Sequence, residues 1–382
     1  MQRDGGRHAG YGAEFETRGG RTVVAHYGRP ERTHLAVRNG VGVIEMGYGV
    51  VVVEGSDAVD FVDNAVSNRV PAADGEGCYA LLLDPQGGIE TDLSVYNAGE
   101  RLLCFTPPDR ADPLADDWGE KVFIQDVAIH DASAEFAVFG VHGPTSTETV
   151  GTLLAGASVP EEPLTFVRGS IADAGVTVVS TDDPTGETGY EVICRDDDAD
   201  DVWDSLLTRG TPTTPVGYRT WNSLTLEAGT PLFDTELVGR IPNVVGVRNA
   251  LDFEKGCYVG QEVVSRVENQ GRPSKRLVGL LVDAVPDSGA AVFDGDASVG
   301  DVTRGVESPS LGRPIALAYV ESAELRSAAS RAQSGESAVL DDDPDPSLTV
   351  RVDGDDVAAA TTSLPFVEGS GRSGRLPDYG SD

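Results

Sequence analysis

Leu81-Leu82-Leu83-Asp84-Pro85-Gln86-Gly87-Gly88-Ile89-Glu90-Thr91-Asp92-Leu93-Ser94-Val95-Tyr96 reads as a β-hairpin. The apolar run stops at Asp-Pro-Gln-Gly-Gly, where a fixed-φ proline and two glycines favour a tight turn. Beyond it, Ile89, Thr91, Leu93 and Val95 alternate with Glu90, Asp92, Ser94 and Tyr96, the period of two that defines a strand. Asp92 and Tyr96 therefore share one face, opposite the face of Ile89, Leu93 and Val95. A carboxylate and an aromatic so placed can hydrogen-bond and stack on a flat ring; a solvated polar face is the plainer reading.

The pattern extends in both directions. Residues 41–53 read as one or two strands, and Ser56-Asp57 can cap a helix carrying Val59, Phe61, Val62 and Val66. A second hairpin enters a turn at residues 181–189 and returns as Tyr190-Glu191-Val192-Ile193-Cys194. Here Glu191 shares a side with Ile193, and a carboxylate on an apolar face needs donors to offset its desolvation. Residues 200–208 and 219–227 read as helices. After about Lys275 short strands alternate with Gly/Asp turns, as in residues 276–282 and 314–320, which suggests a separate small β-barrel. The expected organisation is an N-terminal extension (1–40), a main domain (41–274), a barrel domain (275–370) with an acidic insertion at about 322–346, and a disordered tail (371–382). The expected fold class is α+β, antiparallel sheets with helices around a central cavity.

The 382 residues carry 63 acids against 29 bases, a net charge of −34, and only three lysines, Lys121, Lys255 and Lys275. The acids are spread through patterned segments, which suggests a surface adapted to molar salt, where like charges are screened within a few Å. A merely acidic protein is the bland alternative. Either way no nucleic-acid partner is expected, since so acidic a chain is a poor candidate for electrostatic binding to phosphates, a local basic patch being the alternative. No stretch approaches the roughly 20 apolar residues that span a bilayer, and the N-terminus lacks an apolar core, so a cytoplasmic protein is expected. Four cysteines, Cys78, Cys104, Cys194 and Cys257, are widely spaced, and the histidines do not cluster with them, so no metal site is expected.

Lys255-Gly256-Cys257-Tyr258-Val259-Gly260-Gln261-Glu262, followed by Arg266, is the most unusual segment. In an extended chain Lys255 and Cys257 leave the same face, where an ammonium favours the thiolate. Gly256 and Gly260 permit a tight backbone path, and a helix can start at Gln261 with Glu262 in its first turn. A glycine turn before a helix, with a passive core cysteine, is the structural alternative.

This segment resembles the signature of the YgfZ family, relatives of the glycine-cleavage T-protein in the aminomethyltransferase superfamily, and the charge suggests a haloarchaeal-type member. The T-protein proper usually lacks this cysteine. Other stretches resemble the same superfamily. Gly87 to Tyr96 is similar to its Gly-Gly-Ile-x-x-Asp-Leu-x-Val-Tyr segment, which implies that Asp92 lies by the reactive nitrogens of folate and Tyr96 lines the site. Thr185-Gly186-Glu187-Thr188-Gly189-Tyr190-Glu191 is similar to an element whose final glutamate grips the pterin, a role that passes to Glu191. Leu224-Thr225-Leu226-Glu227-Ala228-Gly229-Thr230-Pro231-Leu232-Phe233 resembles a segment ending in a tyrosine, so Phe233 becomes the stacking candidate.

The resemblance implies binding of tetrahydrofolate or a one-carbon derivative, and a role in assembling or repairing iron–sulfur clusters of client enzymes. Asp92, Cys257 and Lys255 become the catalytic candidates. An aminomethyltransferase of the glycine cleavage system, or a scaffold with a vestigial folate pocket, are the alternatives. Departures weaken the second reading: Thr225 stands where an arginine is common, with Arg219 as a candidate substitute. Pro184, Thr91 and the 104–107 segment also differ from the T-protein pattern.

Overall fold

In the computed structural model, which describes residues 6–271, 273–323, 325 and 348–380, strand Gly77–Leu83 pairs antiparallel with strand Ile89–Asn97, Leu81 opposite Asp92. Arg101–Thr106, Gly49–Glu54 and Ala128–Asp131 extend this hairpin into a five-stranded sheet. The second expected hairpin is also present, Ala174–Ser180 against Gly189–Arg195. It belongs to a six-stranded sheet with Phe166–Ile171, Phe136–His142, Gly42–Glu45 and the short parallel strand Thr214–Val216.

The two sheets face each other across one core. Val50, Val52, Tyr96 and Phe105 of the first meet Ile44, Val138, Val179 and Ile193 of the second. Helices cover the outer faces. Val62, Leu114 and Trp118, from helices Ala58–Ala65 and Ala111–Glu120, lie on the five-stranded sheet. Val202, Trp203 and Leu206 of helix Ala199–Thr208 lie on the six-stranded one. Both faces of each hairpin are thus buried, so the alternation in Ile89–Asn97 separates an inter-sheet face from a helix-covered face, not an inside from a solvated outside.

Six strands, Lys275–Val282, Arg313–Glu321, Ala297–Ser308, Ala291–Asp294, Leu348–Val352 and Asp355–Thr362, close the expected barrel. Its outer wall docks on the larger lobe through Leu277, Leu317 and Tyr319 against Tyr79, Leu226 and Leu237. A buried polar knot adds to the junction. Glu227 accepts hydrogen bonds from Ser308 (2.5 Å) and Ser310 (2.8 Å) of the barrel side and pairs with His34 (2.9 Å) and Arg38 (2.9 Å). Burial acts to raise the Glu227 pKa, but His34, Ser308 and Arg38 outweigh it and hold the carboxyl at about 2. Glu227 is structural.

Two expectations about the ends are corrected. Among the described residues, 6–40 do not form a separate extension: Glu14–Arg18 pairs with Arg21–His26, and helix Pro30–Arg38 packs on helix Tyr218–Glu227 with Val37 and His34 buried. Nor are residues 371–380 a disordered tail. The Tyr379 hydroxyl accepts from the Leu277 N–H (2.6 Å) and donates to the Val244 carbonyl (2.9 Å), and Arg375 is drawn into the larger lobe. Apart from residues 322, 323 and 325, the acidic insertion lies outside the described residues.

Candidate functional site

A cavity of about 980 Å³ opens where the inter-sheet space meets the barrel. Its walls come from every part of the chain: Arg18 of the N-terminal hairpin, Tyr48 and Asp92 of the sandwich, Trp221 of helix Tyr218–Glu227, Arg304 of the barrel and Arg375 near the C-terminus.

Strand register puts Asp92 and Glu191 on the two facing sheets. Asp92 shares its face with Tyr96, and Glu191 shares its face with Ile193, both in the inter-sheet core. Asp92 lines the cavity at 9% exposure and accepts a hydrogen bond from the Tyr79 hydroxyl at 2.9 Å. Burial pushes its pKa up, against the opposing pull of Arg375 and Tyr79. Glu191 stands one side chain behind the cavity wall and accepts a hydrogen bond from Tyr48, which lines it, at 2.7 Å. Burial raises the Glu191 pKa to about 7, and the Tyr48 hydrogen bond and Arg375 only partly oppose that. One carboxyl group in the cavity wall and one just behind it are thus both shifted toward the protonated form by burial, a setting suited to holding, giving or accepting protons.

Arg375 acts on both carboxyl groups. Its guanidinium makes a forked pair with Asp182 (2.6 and 3.1 Å), approaches Asp92 at 3.9 Å and sits 4.0 Å from the centre of the Tyr79 ring. Sequence reasoning missed Arg375, Tyr48, Tyr79 and Asp182. Arg375 lies in a Gly/Ser-rich stretch with no periodicity, and Tyr48 lies in a break between strands, so neither had a pattern to reveal it.

Phe233, the stacking candidate, lines the cavity in a single turn of π-helix, Phe233–Leu237, with the Arg110 guanidinium 5.1 Å from its ring centre. Tyr96 does not. It shares the inter-sheet face with Asp92, but lies four residues farther along the strand, packed edge-on to Phe105 and Phe166 at 5.8 and 6.2 Å. The strand rise of about 3.3 Å per residue carries it past the cavity into the core.

The Lys255–Glu262 segment is also placed differently from expectation. Lys255 is buried and Cys257 exposed, so they do not share a face. The Lys255 ammonium donates to the carbonyls of Asp63 (2.5 Å), Val66 (2.9 Å) and Asn68 (2.8 Å), at the end of helix Ala58–Ala65. Asp63 Oδ1 stands 3.3 Å away, and the Tyr258 ring covers the ammonium at 5.8 Å. A cation at orphan carbonyls of a helix end is a capping interaction. Lys255 is thus a structural cap, not an activator of the thiol.

The rest of the segment is likewise accounted for by packing. Gly260 has φ +79° and touches the first hairpin's turn so closely that a Cβ there would meet the Asp84 carbonyl at 2.7 Å. Gln261 starts helix Gln261–Gln270 and donates to the Gly256 carbonyl at 3.4 Å, while Glu262 and Arg266 pair on its exposed face at 2.7 Å. Neither Lys255 nor Cys257 lines the cavity. Among the described residues no group of three or more His, Cys, Asp or Glu is placed to hold a metal ion, and no helix is long and apolar enough to cross a membrane.

Comparison with known proteins agrees with this two-lobed layout. Residues 6–255 match the GCVT N-terminal domain, and residues 275–368 match the glycine cleavage T-protein C-terminal barrel domain. The chain belongs to the glycine cleavage T-protein family. The T-protein domain starts at residue 6, which places the N-terminal hairpin inside it. Relatives include the aminomethyltransferase of Bacillus subtilis, 30% identical over 322 residues (82% of this chain, 88% of the relative). Another is that of Streptomyces avermitilis, 32% identical over 330 residues (83% and 88%). The T-protein fold is also seen in the crystal structure of the glycine cleavage system aminomethyltransferase T from Bartonella henselae, with a TM-score of 0.80 at 22% identity over 96% of this chain and 97% of that one. These likenesses reach the T-protein family and do not single out its YgfZ branch.

Proposed function

We propose that the cavity binds tetrahydrofolate and that the protein is an aminomethyltransferase. The observation that carries this is Asp92 in the wall of a cavity, with Arg375 3.9 Å from it and Glu191 hydrogen-bonded behind the lining residue Tyr48. The space is of the size that takes a drug-sized ligand. Tyr48, Tyr79, Trp221 and Phe233 offer aromatic faces for a pterin, and the Asp92 carboxyl and the Arg375 guanidinium offer an acceptor and donors for its edge.

In the transfer, an aminomethyl group on a dihydrolipoyl sulfur becomes the methylene bridge between two folate nitrogens. The C–S bond and the C–N bond to the amine break, two C–N bonds form, and the two folate N–H protons leave on the thiol and on ammonia. Asp92 is the group placed to handle those protons. Its raised pKa lets the carboxyl give a proton to the leaving amine and take one from a folate nitrogen. Glu191 and Tyr48 orient the ring.

The relatives named aminomethyltransferase, covered over 88% of their length, support this reading. An assay with aminomethylated lipoyl carrier protein and tetrahydrofolate tests it, together with calorimetry in molar KCl. Wild type binds and turns over, and Glu191→Ala weakens binding. Absence of tetrahydrofolate binding by wild type removes the folate reading.

A second reading has its own observation. Packing accounts for Lys255, Tyr258 and Gly260 but leaves Cys257 exposed beside them. The resemblance to the YgfZ family gives that thiol a use, in a folate-binding protein that supports iron–sulfur cluster assembly or repair. Loss of cluster-dependent enzyme activities in a deletion strain, restored by wild type but not by Cys257→Ala, favours it. An open cavity with Asp92 in its wall weighs against a vestigial pocket. We also propose a cytoplasmic protein of high-salt habit, from the 63 dispersed acids. Unfolding temperature that rises from ~0.1 to ~3 M KCl checks this.

A further inference from the structure

Thr225 is fully buried, its hydroxyl donating to the Trp221 carbonyl at 2.9 Å and accepting from Arg304 at 3.1 Å. Arg304 reaches this position from barrel strand Ala297–Ser308. It is 7% exposed and forms part of the cavity wall together with its neighbours Thr303 and Gly305. Its Nε–H donates to Glu236 (3.1 Å) and one terminal nitrogen to the Thr230 carbonyl (2.6 Å). Glu236 is also buried, and its other oxygen accepts from the Leu232 N–H (2.8 Å) and the Thr235 hydroxyl (2.7 Å). The guanidinium therefore ties together helix Tyr218–Glu227, the turn after it and the π-helical turn that carries Phe233.

A guanidinium has five N–H donors. Three are engaged in these bonds, leaving one on each terminal nitrogen. A buried Arg–Glu pair is a weak source of stability, because desolvation offsets most of its attraction, so stability alone does not explain its presence in a cavity wall. Arg219, the sequence-based candidate for the guanidinium that resembling sequences carry at position 225, is exposed at the rim. A small residue at 225 leaves room for the arginine that arrives from the barrel.

We infer that Arg304 supplies that guanidinium from the other lobe, and that its two remaining donors hold an acceptor oxygen, carbonyl or carboxylate, of the ligand. This rests on the folate reading above and adds a specificity-determining residue to it. It also makes the ligand site dependent on the docked barrel.

Three variants test it, with tetrahydrofolate as the probe and Kd read by calorimetry in molar KCl well below each variant's unfolding temperature. Arg304→Ser is expected to weaken binding about tenfold or more. The double variant Thr225→Arg/Arg304→Ser returns a guanidinium to the helix side and is expected to recover most of that loss. Recovery of binding without a matching recovery of unfolding free energy is an outcome that a purely structural staple does not produce. Wild-type affinity in a folded Arg304→Ser overturns the inference, and so does a folded double variant no tighter than the single one. Should Arg304→Ser fail to fold, Arg304→Lys decides. It keeps a cation for Glu236 but loses the fork, so weaker binding supports the inference and unchanged binding overturns it. If wild type itself does not bind tetrahydrofolate, the folate reading falls first, a failure distinct from either.

Discussion

Asp92 and Glu191 lie between two sheets with an arginine for company, whereas Cys257 lies on the surface beside a lysine that faces the other way. In the first region carboxyl groups are desolvated, and their pKa values rise because water is excluded. In the second the charged group is spent on a helix end, where three carbonyls and Asp63 satisfy it. Burial pulls the Lys255 pKa down, as it does for any amine taken out of water. Perturbed protonation therefore has opposite meanings in the two regions. Around Asp92 it accompanies an open cavity, and around Lys255 it accompanies a closed packing joint. The most distinctive sequence segment need not be the chemical one.

This contrast can be broken by experiment. The largest effect is expected for Asp92→Asn, with the aminomethyl-transfer rate reduced about 10²–10⁴-fold, the range for loss of a general acid–base group. A rate within twofold of wild type removes Asp92 from the chemistry. Next comes Lys255→Met, which strips three carbonyls and Asp63 of their cation and is expected to lower unfolding free energy by about 4 kcal/mol. Urea titration reads it, and a loss below about 1 kcal/mol would return Lys255 to the list of functional residues.

Glu191 sharpens the other side. Its folded pKa of about 7 lies above its ordinary value of 4.5, so the folded state holds a proton that the unfolded state releases between those values. Stability then falls as pH rises through that window and stays reduced above it, by about 3 kcal/mol from this group. Glu191→Gln should flatten the profile between pH 4.5 and 7 and be the more stable form at pH 8. An unchanged profile by denaturant unfolding would show that Glu191 titrates normally. The smallest effect is expected at Cys257→Ser, within about 0.5 kcal/mol of wild-type stability, as for an exposed substitution. Transfer activity should be unchanged. A lost transfer activity there would join the two regions into one site.

Much of the frame is legible in the chain order of residues. Asp84 to Gly88 marks a turn, and the period-two alternation on both sides gives two strands and their facing side chains. The same logic places Glu191 beside Ile193 on an inter-sheet face. The change of texture after Lys275 marks the barrel. These are local features, set by backbone dihedrals and side-chain period, and local physics encodes them directly.

Alternation assigned Tyr96 correctly to the face of Asp92 but could not say how far the cavity extends along that face. Spacing put Lys255 and Cys257 on one side of an extended chain, and the turn between Leu251 and Gly260 put them on opposite sides. Arg375 and Arg304 carried no local pattern at all. Their roles arise from the docking of the C-terminal segment and the barrel onto the sandwich, contacts between residues up to roughly 280 positions apart. The sequence by itself determined the strands, the turns, the two-lobed division and the strand faces on which Asp92 and Glu191 stand. Only the tertiary structure decided which guanidinium meets those acids, because a charge partner is chosen by proximity in space after burial, and no periodicity in the chain records that choice.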